Sequence, residues 1–285
     1  MNQIKTSIIV PAYNEEECIE KVIADVKKYL NQECEIIVVN DGSSDQTKEI
    51  LERIPNIKII SHPKNRGYGA ALKSGIRKAQ GEHILIIDAD GTYPTKSISD
   101  LLGQKERYDM VVGARINPQS QIPLIRKPIK WLLTQIANYL TKTKIPDLNS
   151  GLRIIKKDVL NQFIHLLPDG FSFTTTITLA LLTNDYQVKY LPINYYKRKG
   201  KSKIKPIEDT LNFLQLIIRT ILYFNPLKVF IPISLILFLL SLGILIYSYF
   251  FMPKIMDVTI VLLFISAIQI LAIGMIADLI VKSRK

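Results

Sequence analysis

The densest chemistry in this 285-residue chain lies in "HILIIDADGTY", residues 83–93. Asp88 and Asp90 stand two apart, directly after the apolar run at residues 84–87. If the chain is still extended there, both carboxylates point to one side of a sheet. Two anions on one face repel unless a cation stands between them. Mg²⁺ or Mn²⁺ fits, because such hard ions are held by one or two carboxylates plus the oxygens of a substrate diphosphate. The competing reading is that Asp88 and Asp90 cap a turn or the next helix, since Asp-x-Asp alone is common. The apolar run is too short for a globular helix and rich in β-branched residues, so it predicts a strand buried on both faces of a parallel sheet.

Other polar clusters follow predicted strands in the same way. Residues 7–10 form an apolar run before "PAYNEEE", where Asn14 is a candidate N-cap and residues 15–17 are acids favoured by a helix dipole. Ile19, Val22, Ile23, Val26 and Leu30 then mark one face of an amphipathic helix. Residues 35–39 run into "NDGSSDQT", where Gly42 permits a tight turn and Ser44 or Asp45 can cap the helix carrying Ile50, Leu51 and Ile54. Residues 57–61 lead to "NRGYGAALKSGI", and residues 110–113 form a fifth strand. Strands alternating with helices predict a mostly parallel sheet with ligands at the carboxyl ends of its strands. Each motif alone is ordinary loop chemistry; all of them on one sheet edge make a site. "GYGAAL" at 67–72 is a weak match to a dinucleotide fingerprint. Its small residues serve close helix packing or approach to a nucleotide backbone.

Composition narrows the partners. Lys plus Arg minus Asp plus Glu is 37 − 25 = +12, a balance that suits nucleic acid, an anionic membrane surface or phosphorylated substrates equally. The two cysteines, Cys18 and Cys34, lack metal-ligand spacing and are expected as reduced thiols. No signal peptide is expected after "MNQIKTS", and neither a repeat nor a low-complexity segment is present.

"VPAYNEE", "VVNDGSSDQT", "NRGYGAALKSGI" and "DADGTYP", in this order over the first hundred residues, resemble glycosyltransferase family 2. The resemblance implies a GT-A-type nucleotide-sugar-binding α/β domain with a mostly parallel sheet, whose Asp-x-Asp holds Mg²⁺ or Mn²⁺. By the same resemblance Pro11, Ala12, Tyr13 and Glu15 line the nucleoside pocket, and Asp41 contacts base or ribose. Gly69, Lys73 and Ala89 join the donor site, and Asp88 and Asp90 take the metal and diphosphate. "VVGAR", "PLIRKPIKWLL", "DLNSGLRIIKK" and "YYKRKGKSK" are similar to the polyprenyl-phosphate branch, typified by dolichyl-phosphate mannose synthases. Arg115, Arg126, Lys130, Arg153, Arg198 and Lys203 offer cations to several phosphates, arginine with a planar fork. Lys127, Lys156 and Lys157 read instead as a solvated basic face. Arg126 and Lys130 stand at i and i+4, on one side of a helix. Arg115, Arg126 and Lys130 are expected to hold an acceptor phosphate, with Arg198 and Lys203 beside them. Asp147 falls where soluble relatives keep a base and is expected here to orient groups. Two departures stand out: Thr92 replaces a glutamine that often completes the metal shell, and "SFTTTITLALL" lacks an acid that some relatives carry.

The composition then changes. Leu211, Leu214, Gln215, Ile218 and Leu222 have helical spacing, which predicts an amphipathic helix at a membrane surface or against a partner, within residues 206–225. Asn225-Pro226 breaks it. Residues 227–251 and 258–281 each exceed the roughly 20 apolar residues that cross a bilayer. Lys228 at one outer flank and Lys282, Arg284 and Lys285 at the other predict a hairpin with both ends cytoplasmic, and residues 1–205 as a cytosolic catalytic domain. Asp278 lies near that end, where it reaches headgroups and needs no catalytic role.

Together these readings predict a membrane-anchored inverting hexosyltransferase, metal-dependent, using a nucleotide-diphosphate sugar of the UDP-glucose or GDP-mannose type and a polyprenyl phosphate acceptor. Two membrane helices are too few for a polysaccharide channel, and Trp131, the only tryptophan, is preceded by "KPIK" rather than by the motif of a processive synthase. The alternatives are transfer to another lipid hydroxyl, or a silent nucleotide-binding subunit. A flippase and self-association are possible partners; nucleic acid is not expected.

Overall fold

The computed structural model describes residues 4–116, 134–135, 137–139, 141–170, 172–196, 222–223, 225–252 and 256–283. The chain divides into two compact units, Met1–Leu214 and Gln215–Lys285. The first holds β1 (Thr6–Ala12), α1 (Ile19–Lys27), β2 (Cys34–Asn40), α2 (Thr47–Arg53), β3 (Lys58–Ser61), α3 (Tyr68–Lys78), β4 (His83–Ile86), α4 (Ser97–Leu102) and β5 (Met110–Ala114). After these come β6 (Arg153–Lys156), α5 (Lys157–Phe163), α6 (Phe173–Thr183) and β7 (Val188–Pro192). The strands form one sheet in the order β3-β2-β1-β4-β6-β5-β7.

The predicted central strands are present and, as β-branched runs without polar breaks, are buried on both faces. Every residue of β1, β4 and β5 is buried, whereas the edge strand β3 is largely exposed. One face carries Ile8, Val10 and Val38 against Ile19, Val22 and Ile23 of α1, with Leu51, Ile98 and Leu101 beside them. The alternate residues Ile9 and Val39 meet α3, where Gly75 leaves no room for a Cβ against the Ile9 side chain.

Helix beginnings differ from the sequence expectation. Asn14 does not cap α1, which starts five residues later at Ile19; its side-chain oxygen instead accepts from the Ser44 N–H at 2.8 Å. The N-cap of α2 is Gln46 and neither Ser44 nor Asp45; Asp45, one residue earlier, accepts from the Thr47 N–H at 3.0 Å and its hydroxyl at 2.5 Å. Gly42 has φ +70°, and a Cβ there would meet the Lys64 backbone, so only glycine fits that turn.

Two strands were not anticipated. β7 pairs parallel with β5. β6 runs antiparallel between β4 and β5, with Ile86 opposite Arg153 and Val112 also opposite Arg153. A strand running against its neighbours begins where they end. The residues just before β6 are therefore delivered to the carboxyl edge, beside the end of β4.

In the second unit, α7 (Leu227–Phe251) and α8 (Asp257–Lys282) are the two helices long and apolar enough to cross a membrane among the described residues. The predicted spans agree with them to within a residue or two. Their buried positions are small: Ser234, Ser241 and Ser248 on α7, Ala267 and Gly274 on α8. The Ser234 hydroxyl donates to the Ala267 carbonyl at 2.8 Å, and the Ser241 hydroxyl to the Ile260 carbonyl at 2.9 Å. Phe230 lies over Gly274, leaving no space for a side chain. Spacing of seven on both helices gives a continuous seam where close backbone approach and interhelical hydrogen bonds replace the hydrophobic driving force that lipid removes. Asp278 pairs with Lys282 at 2.7 Å. The expected amphipathic helix lies almost wholly outside the described residues.

His83, at the amino end of β4, is 5% exposed, and neither ring nitrogen makes a hydrogen bond. Burial lowers its pKa from the ordinary 6.5, against a smaller opposing pull from Glu106. Between the lowered value and 6.5 the unfolded chain binds a proton that the folded chain refuses. Stability therefore rises with pH through that window and is lost on acidification below about 6.5. His83→Phe removes this linkage, so its melting temperature should fall less between pH 7 and pH 5.5 than that of the parent. An equal fall would show that His83 is protonated without cost.

Candidate functional site

The strand ends at Ile86, and Ile87 makes one further bond, its N–H donating to the Ile9 carbonyl at 3.2 Å. Ala89 and Asp90 occupy a turn directly after Asp88, and not the extended segment that the spacing first suggested, with Gly91 at φ +69° following it. Each carboxylate is fixed by a different neighbour. The Tyr68 hydroxyl donates to Asp88 Oδ1 at 2.8 Å. The Thr92 N–H and hydroxyl donate to Asp90 Oδ1 at 3.1 and 2.6 Å. Thr92 is wholly buried, so its role is to orient Asp90 and not to supply an outward-facing ligand. Burial first, and the Asp90 charge second, push the Asp88 carboxyl up to about 6, against pulls from Tyr68, Arg115 and Arg153. Two carboxylates crowded in this way have an unmet demand for positive charge. Among the described residues no third His, Cys, Asp or Glu joins them. Such a pair suits a hard dication that draws its other ligands from diphosphate and water.

The antiparallel strand explains what faces them. Continuing the register beyond Ile86–Arg153 sets Asp88 opposite Gly151. A Cβ on Gly151 would stand 2.2 Å from Asp88 Oδ2, so the carboxylate rests on a bare Cα. The Gly151 N–H donates to the Tyr93 hydroxyl at 2.6 Å. Tyr93 packs edge-on against Tyr195, and the Arg115 guanidinium lies over the Tyr195 ring at 5.1 Å.

Asp147 lies in the same loop, 3% exposed. It accepts from the Arg115 N–H at 3.0 Å, from Nε at 2.7 Å and from Nη2 at 2.8 Å; Nη2 also donates to Asn149 Oδ1 at 2.9 Å. Burial works against the Arg115 charge, but its bonds to Asp147 outweigh this and raise the pKa. Arg115 and Asp147 thus form a bidentate pair joining the end of β5 to the loop before β6.

Arg153 needs a correction. Sequence reasoning set it among the phosphate-facing cations, but it is completely buried. Its Nε and Nη2 donate to the Ser150 carbonyl, and Nη1 donates to the Thr174 carbonyl and the Thr178 hydroxyl, both at 2.9 Å. The cause is the register that delivers Gly151: Arg153 sits mid-sheet between β4 and β5, with no path to solvent. It fastens the 147–151 loop to the first turns of α6. Its charge favours the ionised form of Asp88.

On the other side of the edge, the loops after β1 and β2 are laced together. The Asn14 N–H donates to the Ser43 hydroxyl at 3.0 Å, and the Glu15 N–H to the Thr47 hydroxyl at 2.9 Å. Pro11 and Ala12 are buried, with Tyr13 and Glu15 half-exposed at the rim. Asp41 is 3% exposed and turned inward. It meets His62 Nδ1 at 2.6 Å and accepts from the N–H groups of Arg66 and Gly67 at 3.0 and 2.8 Å. Its observed work is to hold the chain entering α3. Gly69 and Lys73 face the loop at 168–170: a Cβ on Gly69 would meet the Pro168 carbonyl, and Lys73 pairs with Asp169 at 2.7 Å. Of the two uses that the sequence allowed for these small residues, close backbone packing is the one seen.

Pro11 and Ala12 at the end of β1, and Tyr13, Glu15, Asp41, Asp88, Ala89, Asp90, Arg115 and Asp147 on the loops beyond the strands, all lie at one sheet edge. Arg126, Lys130, Arg198 and Lys203 lie outside the described residues. Sequence reasoning missed Tyr68, Tyr93, Tyr195 and Gly151. Only Gly151 left a signal, a glycine directly before a short apolar run.

Residues 7–164 match the family model described as glycosyl transferase family 2, and residues 225–282 match the GtrB C-terminal hairpin. A dolichyl-phosphate hexose transferase of Haloferax volcanii is 27% identical over 202 residues, 70% of this chain and 86% of that protein. The dolichyl-phosphate beta-glucosyltransferase ALG5D of Trichomonas vaginalis is 34% identical over 226 residues, 71% of this chain and 69% of that protein. Among solved structures, glucosyl-3-phosphoglycerate synthase from Mycobacterium tuberculosis, in complex with Mn²⁺, UDP-glucose and phosphoglyceric acid, superposes with a TM-score of 0.62. It is 18% identical, covering 76% of this chain and 79% of that one, a likeness of fold.

The contact between Gly151 and Asp88 yields a test. Gly151→Ala must displace the Asp88 carboxylate, and misplacement by about 1 Å can cost on the order of a hundredfold in rate. Turnover should fall by about that factor while circular dichroism and melting stay close to the parent. Full activity would show that the Asp88 position is not critical.

Proposed function

Because the chain belongs to glycosyl transferase family 2, we propose that it moves a hexose from a nucleotide-diphosphate sugar, of the UDP-glucose or GDP-mannose type, to a polyprenyl phosphate at a membrane. The relatives named for dolichyl-phosphate sugar transfer and the match to the GtrB hairpin support the acceptor class. The geometry that carries the proposal is the Arg115–Asp147 pair. A hydroxyl acceptor needs a base to take its proton, and Asp147, the residue positioned for that work, is held by three bonds to Arg115. The sequence between Asp109 and Asp147 contains no Asp, Glu or His, and Thr174 to Thr176 stand where some relatives have an acid. A phosphate acceptor is already an anion near neutral pH and needs no base.

In this reading a phosphate oxygen attacks the anomeric carbon on the face opposite the diphosphate. The new C–O bond forms as the bond to the diphosphate breaks, its electron pair leaves with the nucleotide, and the configuration inverts. Asp88 and Asp90 would hold Mg²⁺ or Mn²⁺, which neutralises charge on the departing diphosphate. Pro11, Ala12, Tyr13 and Glu15 would line the nucleoside pocket, with Asp41 shaping it from beneath. Arg115, kept charged by Asp147, would face the reacting phosphates, joined by Arg126, Lys130, Arg198 and Lys203. Positioning and electrostatics would supply most of the rate. The hairpin ties the domain to the bilayer in which a lipid-linked acceptor resides, and its flanking cations support a cytoplasmic location for the catalytic domain.

Removing Asp147 would not separate the acceptor classes, because it leaves the half-buried Arg115 without its partner. Acceptor choice does. Membranes containing the protein, given a panel of labelled nucleotide sugars, should label polyprenyl phosphate and leave diacylglycerol and polyprenol unlabelled. The product should release its sugar in mild acid, as glycosyl phosphates do. Labelling of a neutral hydroxyl lipid would overturn the proposal.

Orientation has its own test. With Cys18 and Cys34 replaced, a single cysteine at Asp257 should react with an impermeant maleimide added outside intact cells. One at Ser283 should react only after lysis. The reverse pattern would put the catalytic domain on the side without nucleotide sugars.

A further inference from the structure

We infer that Tyr68 is a positioning residue for the metal-binding carboxylate Asp88, and that it couples this carboxylate to the Asp41 side of the donor site; the inference rests on the metal assignment proposed above. Tyr68 opens α3, the helix from which sequence reasoning drew Gly69 and Lys73 but not the tyrosine. Its hydroxyl donates to Asp88 Oδ1 at 2.8 Å, the one side-chain hydrogen bond to Asp88 among the described residues. The opposite oxygen, Oδ2, rests against the Gly151 Cα. Gly151 packs against the whole carboxylate, while its own N–H is donated to the Tyr93 hydroxyl. The Tyr68 hydroxyl therefore supplies the directional hold on the carboxylate.

The phenol can do this because its own backbone is clamped. Gly67, immediately before it, has φ +99° and donates its N–H to Asp41 Oδ2 at 2.8 Å. Asp41 is fixed in turn by His62, whose Nε2 meets the Ser74 hydroxyl at 2.9 Å one helical turn and a half further along α3. From the other side the loop at 168–170 presses on the same turn. The Ala70 N–H donates to the Asp169 carbonyl at 3.0 Å, and Lys73 pairs with the Asp169 side chain. A chain of direct contacts thus runs from Asp41, at the end of β2, through Gly67 and Tyr68 to Asp88, at the end of β4. Side chains that reach a metal need such support, because a ligand free to rotate must be ordered when the ion arrives.

Tyr68→Phe removes one hydroxyl and keeps the ring, so the fold should survive, which an unchanged melting temperature checks. Purified full-length protein in detergent is titrated with Mn²⁺ and the free ion is followed by electron paramagnetic resonance, without donor or acceptor. The variant should bind Mn²⁺ about tenfold more weakly than the parent, the loss expected for one hydrogen bond to a charged ligand. In transfer assays the Mn²⁺ concentration for half-maximal rate should rise by a similar factor. The rate at saturating Mn²⁺ should return to within about threefold of the parent, a recovery that loss of structure would not allow. Equal or tighter Mn²⁺ binding by the variant, or a rate defect that metal does not restore, would overturn the inference while leaving the metal site intact. A parent protein that binds no Mn²⁺ would remove the metal from Asp88 and Asp90, and both readings would fall together.

Discussion

Two carboxylates held two residues apart at the end of a buried strand set the terms for the surrounding structure. Burial and the charge of Asp90 both oppose ionisation of Asp88. The fold answers with neighbours that favour the anion: the Tyr68 hydroxyl on one oxygen, and the guanidinium groups of Arg115 and Arg153 at longer range. Thr92 holds Asp90 in place through two hydrogen bonds. Positive charge is thus built into the protein around the pair but stops short of neutralising it. What remains is a demand that a dication and a diphosphate can meet together.

The same economy governs the arginines. Arg115 and Arg153 were both expected among the cations offered to phosphate, yet each is engaged first by the protein. Arg115 uses its fork on Asp147, and Arg153 turns all three of its nitrogens to carbonyls, a hydroxyl and a thioether. A buried guanidinium without a carboxylate partner is tolerated because its donors are satisfied, and its field reaches the site without contact. The pairing of Asp147 also carries the chemical argument, since a carboxylate fully engaged by arginine is a poor proton acceptor. On the proposed reading, such a site suits an acceptor that is already anionic.

The membrane hairpin follows a separate logic. In lipid, apolar side chains gain nothing by meeting one another, so the seam between α7 and α8 is made of Ser234, Ser241, Ala267 and Gly274. The large residues, Leu, Ile and Phe, point outward. This inverts the pattern of the α/β unit, where the same residue types fill the core and water is the excluded solvent.

Much of this was legible in the chain itself. Strand cores appear as β-branched runs because burial on both faces leaves no polar position. The membrane helices appear as apolar stretches because length and hydropathy alone decide insertion. The placement of the Asp-x-Asp pair and of the loops after β1 and β2 at strand ends follows from the same local rules, although the pair meets a turn and not the extended segment that its spacing suggested. The antiparallel β6 was not legible: four residues, Arg153–Lys156, form a strand only because β4 and β5 flank them. That one pairing decided that Gly151 supports Asp88, that Arg153 is sealed inside and that Asp147 meets Arg115. Likewise nothing in "NRGYGAAL" shows that its tyrosine reaches a carboxylate twenty residues away. Residue type and spacing determined which chemistry was present; only the packing of distant segments decided which groups remain available to perform it, because a side chain bonded within the protein has already satisfied the charge or donor that the sequence appears to offer.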